Sequence, residues 1–171
     1  DIVRGITSFA LYGFPESHAA SFALIAYASS WLKCHHPAAF LAGLLNAWPM
    51  GFYSPASLVK DAQRHAVEVR PIDVARSTWL CDLEPEESSP DPAKPPAVRL
   101  GLRFVQGLRE ESARRIETAR AERPFVHAAD LAQRAALARE ELAKLAELGA
   151  LASLPEAAAS RRAALWQVAG I

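Results

Sequence analysis

A tight turn followed by a helix is predicted by the segment Val105-Gln-Gly-Leu-Arg-Glu-Glu-Ser-Ala-Arg-Arg-Ile116. Glycine permits a tight turn at Gly107, and a run with no helix breaker follows it. Helical spacing puts Ala113 and Ile116 on one inward face of that run. The segment therefore predicts a short hairpin followed by an amphipathic helix.

The turn resembles the helix-hairpin-helix motif, in which backbone amides of a Gly-apolar-Gly hairpin hold a DNA phosphate without reading base sequence. Glycine lets the backbone approach the phosphate, and the N-terminus of the next helix adds partial positive charge. Arg109 takes the place of the second glycine, where it either supplies a side-chain contact or weakens the hairpin. The motif alone supports DNA contact and an ordinary helical turn equally. The DNA-binding residues predicted here are Gly107, Leu108, Arg109 and the outward-facing Arg114 and Arg115.

A second unit covers residues 137–152 and places a Gly-Ala-Leu step beside a helix. Three leucines at helical spacing predict a buried face, and Gly149 predicts the helix C-cap. Two such units in tandem favour one compact domain that follows a duplex backbone. The three leucines are Leu142, Leu145 and Leu148, and the next helix carries two further candidate phosphate ligands, Arg161 and Arg162.

The opening stretch has a glycine-proline turn at Gly13-Phe-Pro, then Ser17 and His18, then no helix breaker until Pro37. Its apolar run is too short and too rich in serine to span a bilayer, so we expect a buried helix over 17–35. A polar first turn at the dipole-positive end of a buried helix is suited to holding a phosphate.

The remaining pattern predicts a mostly α fold with a small β element. An acidic, proline-rich loop at 84–97 is expected to be mobile and solvated. The strand after this loop is expected to return and pair with the strand before it. Further helices are predicted at 37–47 and 55–66, and strands at 67–74, 79–83 and 98–102.

Composition is that of a globular protein, with 51% hydrophobic and 22% charged residues in 171. The formal net charge is zero, which argues against nucleic-acid binding by bulk charge. Residues 98–123 nevertheless hold seven arginines against four glutamates, so an anionic partner should prefer them. The isolated Cys34 and Cys81 indicate free thiols in a reducing compartment. The chain lacks an initiator Met, as expected of a piece of a longer protein.

Neither a metal site nor a catalytic set is predicted. The Cys34-His35-His36 run has no ligand pair at i, i+4 spacing, and His65 is more simply explained by a helix C-terminus. Ser17 and His18 are adjacent, so they cannot easily orient toward each other as a hydrolase dyad.

Five passages together resemble bacterial C-family DNA polymerases, the family that includes the alpha subunit of DNA polymerase III, and most closely its error-prone, damage-inducible branch. They follow the family's order, fingers first and a tandem helix-hairpin-helix domain after it. Trp48 and Phe104 depart from the family pattern, since polar residues are common there. The passages are 13–24, 31–41, 49–53, 67–74 and 100–108.

The resemblance implies the C-terminal part of a fingers domain over 1–97, which includes the acidic loop at 84–97, and a tandem helix-hairpin-helix domain over 98–171. It implies that Ser17 and His18 lie near the incoming nucleotide or template, and that the hairpin at Gly107 lies at duplex phosphates. The aspartates that bind Mg²⁺ in this family would precede Asp1, so the fragment should be inactive alone. The implied setting is cytoplasmic translesion synthesis and SOS mutagenesis, with primer-template DNA, deoxynucleoside triphosphates, a sliding clamp and mutasome accessory proteins as partners and no membrane.

Two other functions fit the same residues. One is a stand-alone helix-hairpin-helix module of a repair protein. The other is a helical protein-interaction scaffold, which the zero net charge favours.

Overall fold

The fold is mostly α with a small β element, as predicted. The computed structural model describes residues 2–4, 7, 16–85 and 95–155, with the backbone alone at 16 and 17. The chain divides into two compact units, Asp1–Pro37 and Ala38–Ile171. The helices are α1 (Glu16–His35), α2 (Pro37–Asn46), α3 (Pro55–Arg64), α4 (Glu110–Glu122), α5 (Ala128–Arg134) and α6 (Arg139–Glu147), with a 3₁₀ helix at Leu102–Phe104.

Helix α1 has the predicted bounds, but the expectation that it is buried is wrong. Its side chains from His18 to His35 are exposed, apart from the half-buried Ser29. Ile25 and Tyr27 are 59% and 71% exposed. A lone helix cannot cover its own sides, and the described part of its unit offers no other long helix or strand.

Three short strands form one sheet in the order β1 (Val69–Arg70), β3 (Ala97–Arg99), β2 (Asp82–Glu84). Strands β2 and β3 are antiparallel, with Leu83 opposite Val98, which confirms the predicted pairing across the acidic loop. Strand β1 lies parallel on the other edge of β3. Each strand is shorter than predicted. Most of the loop, at 86–94, lies outside the described residues, so its predicted mobility stays a prediction.

Two hydrophobic clusters form the cores of the second unit. The larger joins Val74 to the 3₁₀ helix and helices α4, α5 and α6. The smaller joins α2 and α3 to the sheet through Leu45 and Val98. Within it, the Asn46 amide donates to the Cys81 carbonyl oxygen at 2.9 Å and accepts its N–H at 2.7 Å, so α2 is tied to the segment before β2.

Helix α6 confirms two of the three predicted core leucines. Leu142 and Leu145 are buried, but Leu148 is 51% exposed and the prediction for it was wrong. Leu148 follows the last residue of α6, where the buried stripe has ended. Gly149 has a φ of +76°, and its N–H bonds to the Ala146 oxygen, as predicted for a residue that ends a helix. None of the helices in the described ranges has the length and apolar character needed to cross a membrane.

Candidate nucleic-acid interface

The first hairpin turn has the predicted geometry. Gly107 has a φ of +87°, a conformation that glycine adopts without steric cost. A Cβ placed there would meet no atom within 4 Å, so the backbone at this turn is open to an approaching group. Leu108 is buried, and its N–H bonds to the Val105 oxygen at 3.1 Å. Ala113 and Ile116 are fully buried, which confirms the inward face of α4.

A second turn of the same kind precedes α6. Ala136 has a φ of +46°, and α6 begins three residues later, as α4 begins three residues after Gly107. Leu137 follows Ala136 as Leu108 follows Gly107. The sequence-based prediction for residues 137–152 instead placed the turn glycine at Gly149, after the helix. It missed this turn because alanine rarely adopts a positive φ.

One buried carboxylate joins the two hairpins. Glu141 is 4% exposed, and its Oε2 accepts the N–H of Ala138 at 3.1 Å, the N-cap of its own helix. Its Oε1 accepts the N–H of Arg109 at 3.3 Å, the N-cap of α4. The same oxygen accepts the Ser112 hydroxyl at 2.7 Å and the Arg109 Nε at 3.2 Å. A single side chain therefore satisfies the corresponding amide of both hairpins.

The surroundings of Glu141 favour its charged form. Burial alone would raise the pKa of its carboxyl group, but the hydrogen bonds from Ser112, from Arg109 and from the two amides outweigh it and lower the pKa to about 2. The carboxylate also lies at the positive ends of two helix dipoles. It therefore occupies a place that suits an anion, and the sequence reading did not single it out. The sequence feature that could have identified Glu141 is its place as the third residue of α6, because a Glu at that position often bonds back to the N-cap amide.

The two neighbouring arginines of α4 have different environments. Arg114 is exposed and pairs with Glu110 and Glu117 of its own helix, at 3.3 and 3.1 Å. Arg115 is half-buried: its Nε donates to the Ala135 oxygen at 2.7 Å and its Nη2 to the Ala136 oxygen at 3.2 Å. The prediction that both face outward therefore holds for Arg114 and is wrong for Arg115, which holds the second turn against α4.

Most other arginines of the positive segment also have protein acceptors. Arg120 donates to the Val74 and Ser77 oxygens, and Arg99 to Glu84 and the Pro71 oxygen. Arg123 pairs with Asp130 at 2.8 Å. Arg103 donates to two carbonyl oxygens before α3. The positive side chains of 98–123 thus contribute to the internal hydrogen bonds and ion pairs of the fold.

Of the remaining predicted site residues, the described part of the chain includes only the side chain of His18. His18 is exposed in the first turn of α1, edge-on to Phe22 with the ring centroids 4.5 Å apart. It belongs to the first compact unit and the hairpins to the second. The side chain of Ser17 lies outside the described residues, as do Arg161 and Arg162. Within the described ranges, no three His, Cys, Asp or Glu side chains group as metal ligands.

Comparison with known proteins agrees with this geometry. The family model described as "Helix-hairpin-helix motif" matches residues 66–164. A protein of Azoarcus sp. (strain BH72) named error-prone DNA polymerase is 58% identical over 170 residues, which is 99% of this chain. One of the same name from Bordetella parapertussis is 59% identical over 98% of the chain. The chain spans only 16% and 15% of the lengths of these two relatives.

Proposed function

Because this chain belongs to the helix-hairpin-helix family, we propose that it is a segment of a DNA-directed DNA polymerase and that its hairpins hold duplex DNA through the phosphate backbone. The observation that carries this proposal is the identity of 58% along 99% of the chain to a protein named error-prone DNA polymerase. The open backbone at Gly107 supports it. On this proposal the turns before α4 and α6 contact phosphates on one duplex, without base readout.

Within such a polymerase the segment positions its substrates and the chemistry is done elsewhere. The described residues contain no group of three or more His, Cys, Asp or Glu side chains that could hold a metal ion. Mg²⁺ would be held by carboxylates outside this chain, and the segment alone would be inactive. Several finer points stay predictions that rest on the family resemblance. They are the domain division at residue 97, the roles in translesion synthesis and SOS mutagenesis, the location in the cytoplasm, and binding to a sliding clamp and to accessory proteins.

A salt titration of duplex binding tests the hairpin contact. The 171-residue chain is expected to bind a labelled duplex with an affinity that falls steeply as salt rises. Arg114→Ala should reduce the slope of log K against log salt by about 1, because Arg114 is exposed and can exchange its glutamate partners for a phosphate. Arg115→Ala should leave the slope nearly unchanged and lower the stability instead, because its guanidinium donates to the Ala135 and Ala136 oxygens.

The control for this titration is Arg64→Ala, which removes an exposed cation on α3, a helix that belongs to the smaller hydrophobic cluster and not to the one that contains α4 and α6. An equal change of slope in that variant would mean that charge alone, and not the hairpin, determines binding. Absence of duplex binding at low salt would remove the DNA proposal and favour the helical protein-interaction scaffold, for which the internal pairing of the arginines provides the specific observation.

For the first unit, we propose that Ser17 and His18 lie at the incoming nucleotide. His18 is exposed at the N-terminal end of α1 and so is able to meet a substrate. In the polymerase that contains this segment, His18→Ala should raise KM for the nucleotide more than it weakens binding of primer-template DNA. An unchanged nucleotide dependence would contradict this assignment.

A further inference from the structure

The turn between α2 and α3 displays aromatic side chains to solvent. We call residues Trp48–Tyr53 the aromatic turn. Phe52 is 106% exposed, Tyr53 66% and Trp48 37%. Large aromatic side chains are normally used to fill cores, and exposed ones in a group mark binding surfaces. None of the contacts proposed for the hairpins uses this turn.

The aromatic turn is held in place by hydrogen bonds at its base. Arg103 donates from Nη1 to the Asn46 oxygen and from Nη2 to the Trp48 oxygen, both at 2.7 Å. Gly51 has a φ of +53°, which fixes a sharp reversal between the rings. Ser54 then caps α3, with its Oγ accepting the Ser57 N–H at 3.3 Å. Rings displayed from an ordered turn lose little conformational freedom when they bind a partner.

The charge around this turn suits an anionic partner. Residues 38–60, the part of the second unit that contains the turn, have no Asp or Glu, although the chain holds 19 acids in all, and they include Lys60. The guanidinium of Arg103 lies at the base of the turn and keeps its charge when it donates to carbonyl oxygens. Aromatic side chains also occur at protein–protein interfaces, but unpaired bases offer both the planar faces that stack on such rings and the negative charge that this surface suits.

We propose that the aromatic turn is a stacking site for unpaired bases of single-stranded nucleic acid. Bases in a duplex hide their faces in the stack, whereas unpaired bases present them, and aromatic side chains stack on every base without reading sequence. Because residues 38–60 carry no acids, this stretch does not itself repel the phosphates of the strand. This site is separate from the hairpins and goes beyond the proposed duplex contact.

The test measures binding of a labelled oligodeoxythymidine strand and of a labelled duplex to the 171-residue chain by fluorescence anisotropy. Phe52→Ala should weaken single-strand binding about tenfold, the effect of losing one stacked base, and leave duplex affinity unchanged. Phe52→Tyr keeps a flat ring and should retain binding. Phe52→Leu keeps an apolar side chain without a ring and should lose it. Because Phe52 touches solvent, these variants should keep the fold, which circular dichroism checks.

Tyr27→Ala is the matched control, since it removes another exposed aromatic ring, 71% accessible, from α1. Four results would overturn the proposal: no single-strand binding by the unaltered chain, wild-type binding by Phe52→Ala, wild-type binding by Phe52→Leu, or an equal loss in Tyr27→Ala. A shift of self-association by Phe52→Ala with unchanged single-strand binding would assign the turn to a second copy of the chain. If the stacking site is refuted, the duplex titration of Arg114→Ala is unaffected, so the two proposals can be refuted independently.

Discussion

Helices α1 and α4 have opposite compositions and opposite burial. Helix α1 has apolar residues on all sides and exposes nearly all of them, with Leu24 69% and Ile25 59% accessible. Helix α4 is rich in charge, yet Ala113 and Ile116 are fully buried. A helix is thus buried where its narrow apolar stripe packs against another element, which for α4 means α5 and the 3₁₀ helix. The total apolar content of a helix does not determine whether it is buried.

The sharpest test of this contrast compares one residue type in the two helices. Ile116→Ala should lower the free energy of unfolding by about 2–5 kcal/mol, because it leaves a cavity in the larger core. Ile25→Ala should change it by less than about 0.5 kcal/mol, because the side chain is already in water. Urea unfolding followed by circular dichroism measures both. Equal losses would break the contrast and show that α1 contributes a core of its own.

A second prediction concerns the charge that α4 shares with α6. The pKa of Glu141 falls from its usual 4.5 to about 2 in the folded chain, so its carboxylate stabilises the fold above about pH 4.5. That contribution, about 3 kcal/mol, is lost as the pH falls toward 2. Glu141→Gln should lower stability at neutral pH and flatten its decline in acid.

Glu84 is the comparator for this measurement. The pKa of Glu84 is also lowered to about 2, where hydrogen bonds from Arg76, Arg70 and Arg99 outweigh its partial burial. Glu84→Gln should therefore remove a separate part of the acid sensitivity, located in the sheet. Urea titrations across the acid range give the slope for each variant. A slope that Glu141→Gln leaves at the wild-type value would refute the role of the shared carboxylate.

The smallest predicted effect separates the two neighbouring arginines of α4. Arg115→Ala should lower the free energy of unfolding by about 1–2 kcal/mol, because the Ala135 and Ala136 oxygens lose their donor. Arg114→Ala should cost less than about 1 kcal/mol, since its ion pairs are exposed. Thermal unfolding of the two variants, measured side by side, gives this difference in stability. A larger loss for Arg114→Ala would reverse the assignment of the buried and exposed faces.

Local pattern predicted much of this fold. Pro37 and Pro55 start α2 and α3 as expected, and the apolar spacing of Ala113 and Ile116 identified the buried face of α4. These features depend on residues a few positions apart. The pairing of the strands on either side of the acidic loop was also confirmed.

Long-range polar contacts were the part that pattern could not predict. Arg115 looked like a surface cation because its acceptors lie 20 residues and more along the chain. The Glu141 carboxylate serves an amide 32 residues before it. The burial of α1 was mispredicted for a related reason. An apolar composition shows that a helix needs another element to pack against, but it cannot show whether such an element is present. A prediction of a phosphate site therefore has to consider the internal groups that compete with phosphate for the same donors.

The shared carboxylate also has a consequence for how the hairpins open. The amides of Arg109 and Ala138 cannot both be released unless Glu141 leaves its place, so local opening of one turn strains the other. The two hairpins should then behave as one cooperative unit, and the hydrogens of these two amides should exchange with solvent at matching protection. Protection that differs between them by orders of magnitude would show that the hairpins open independently.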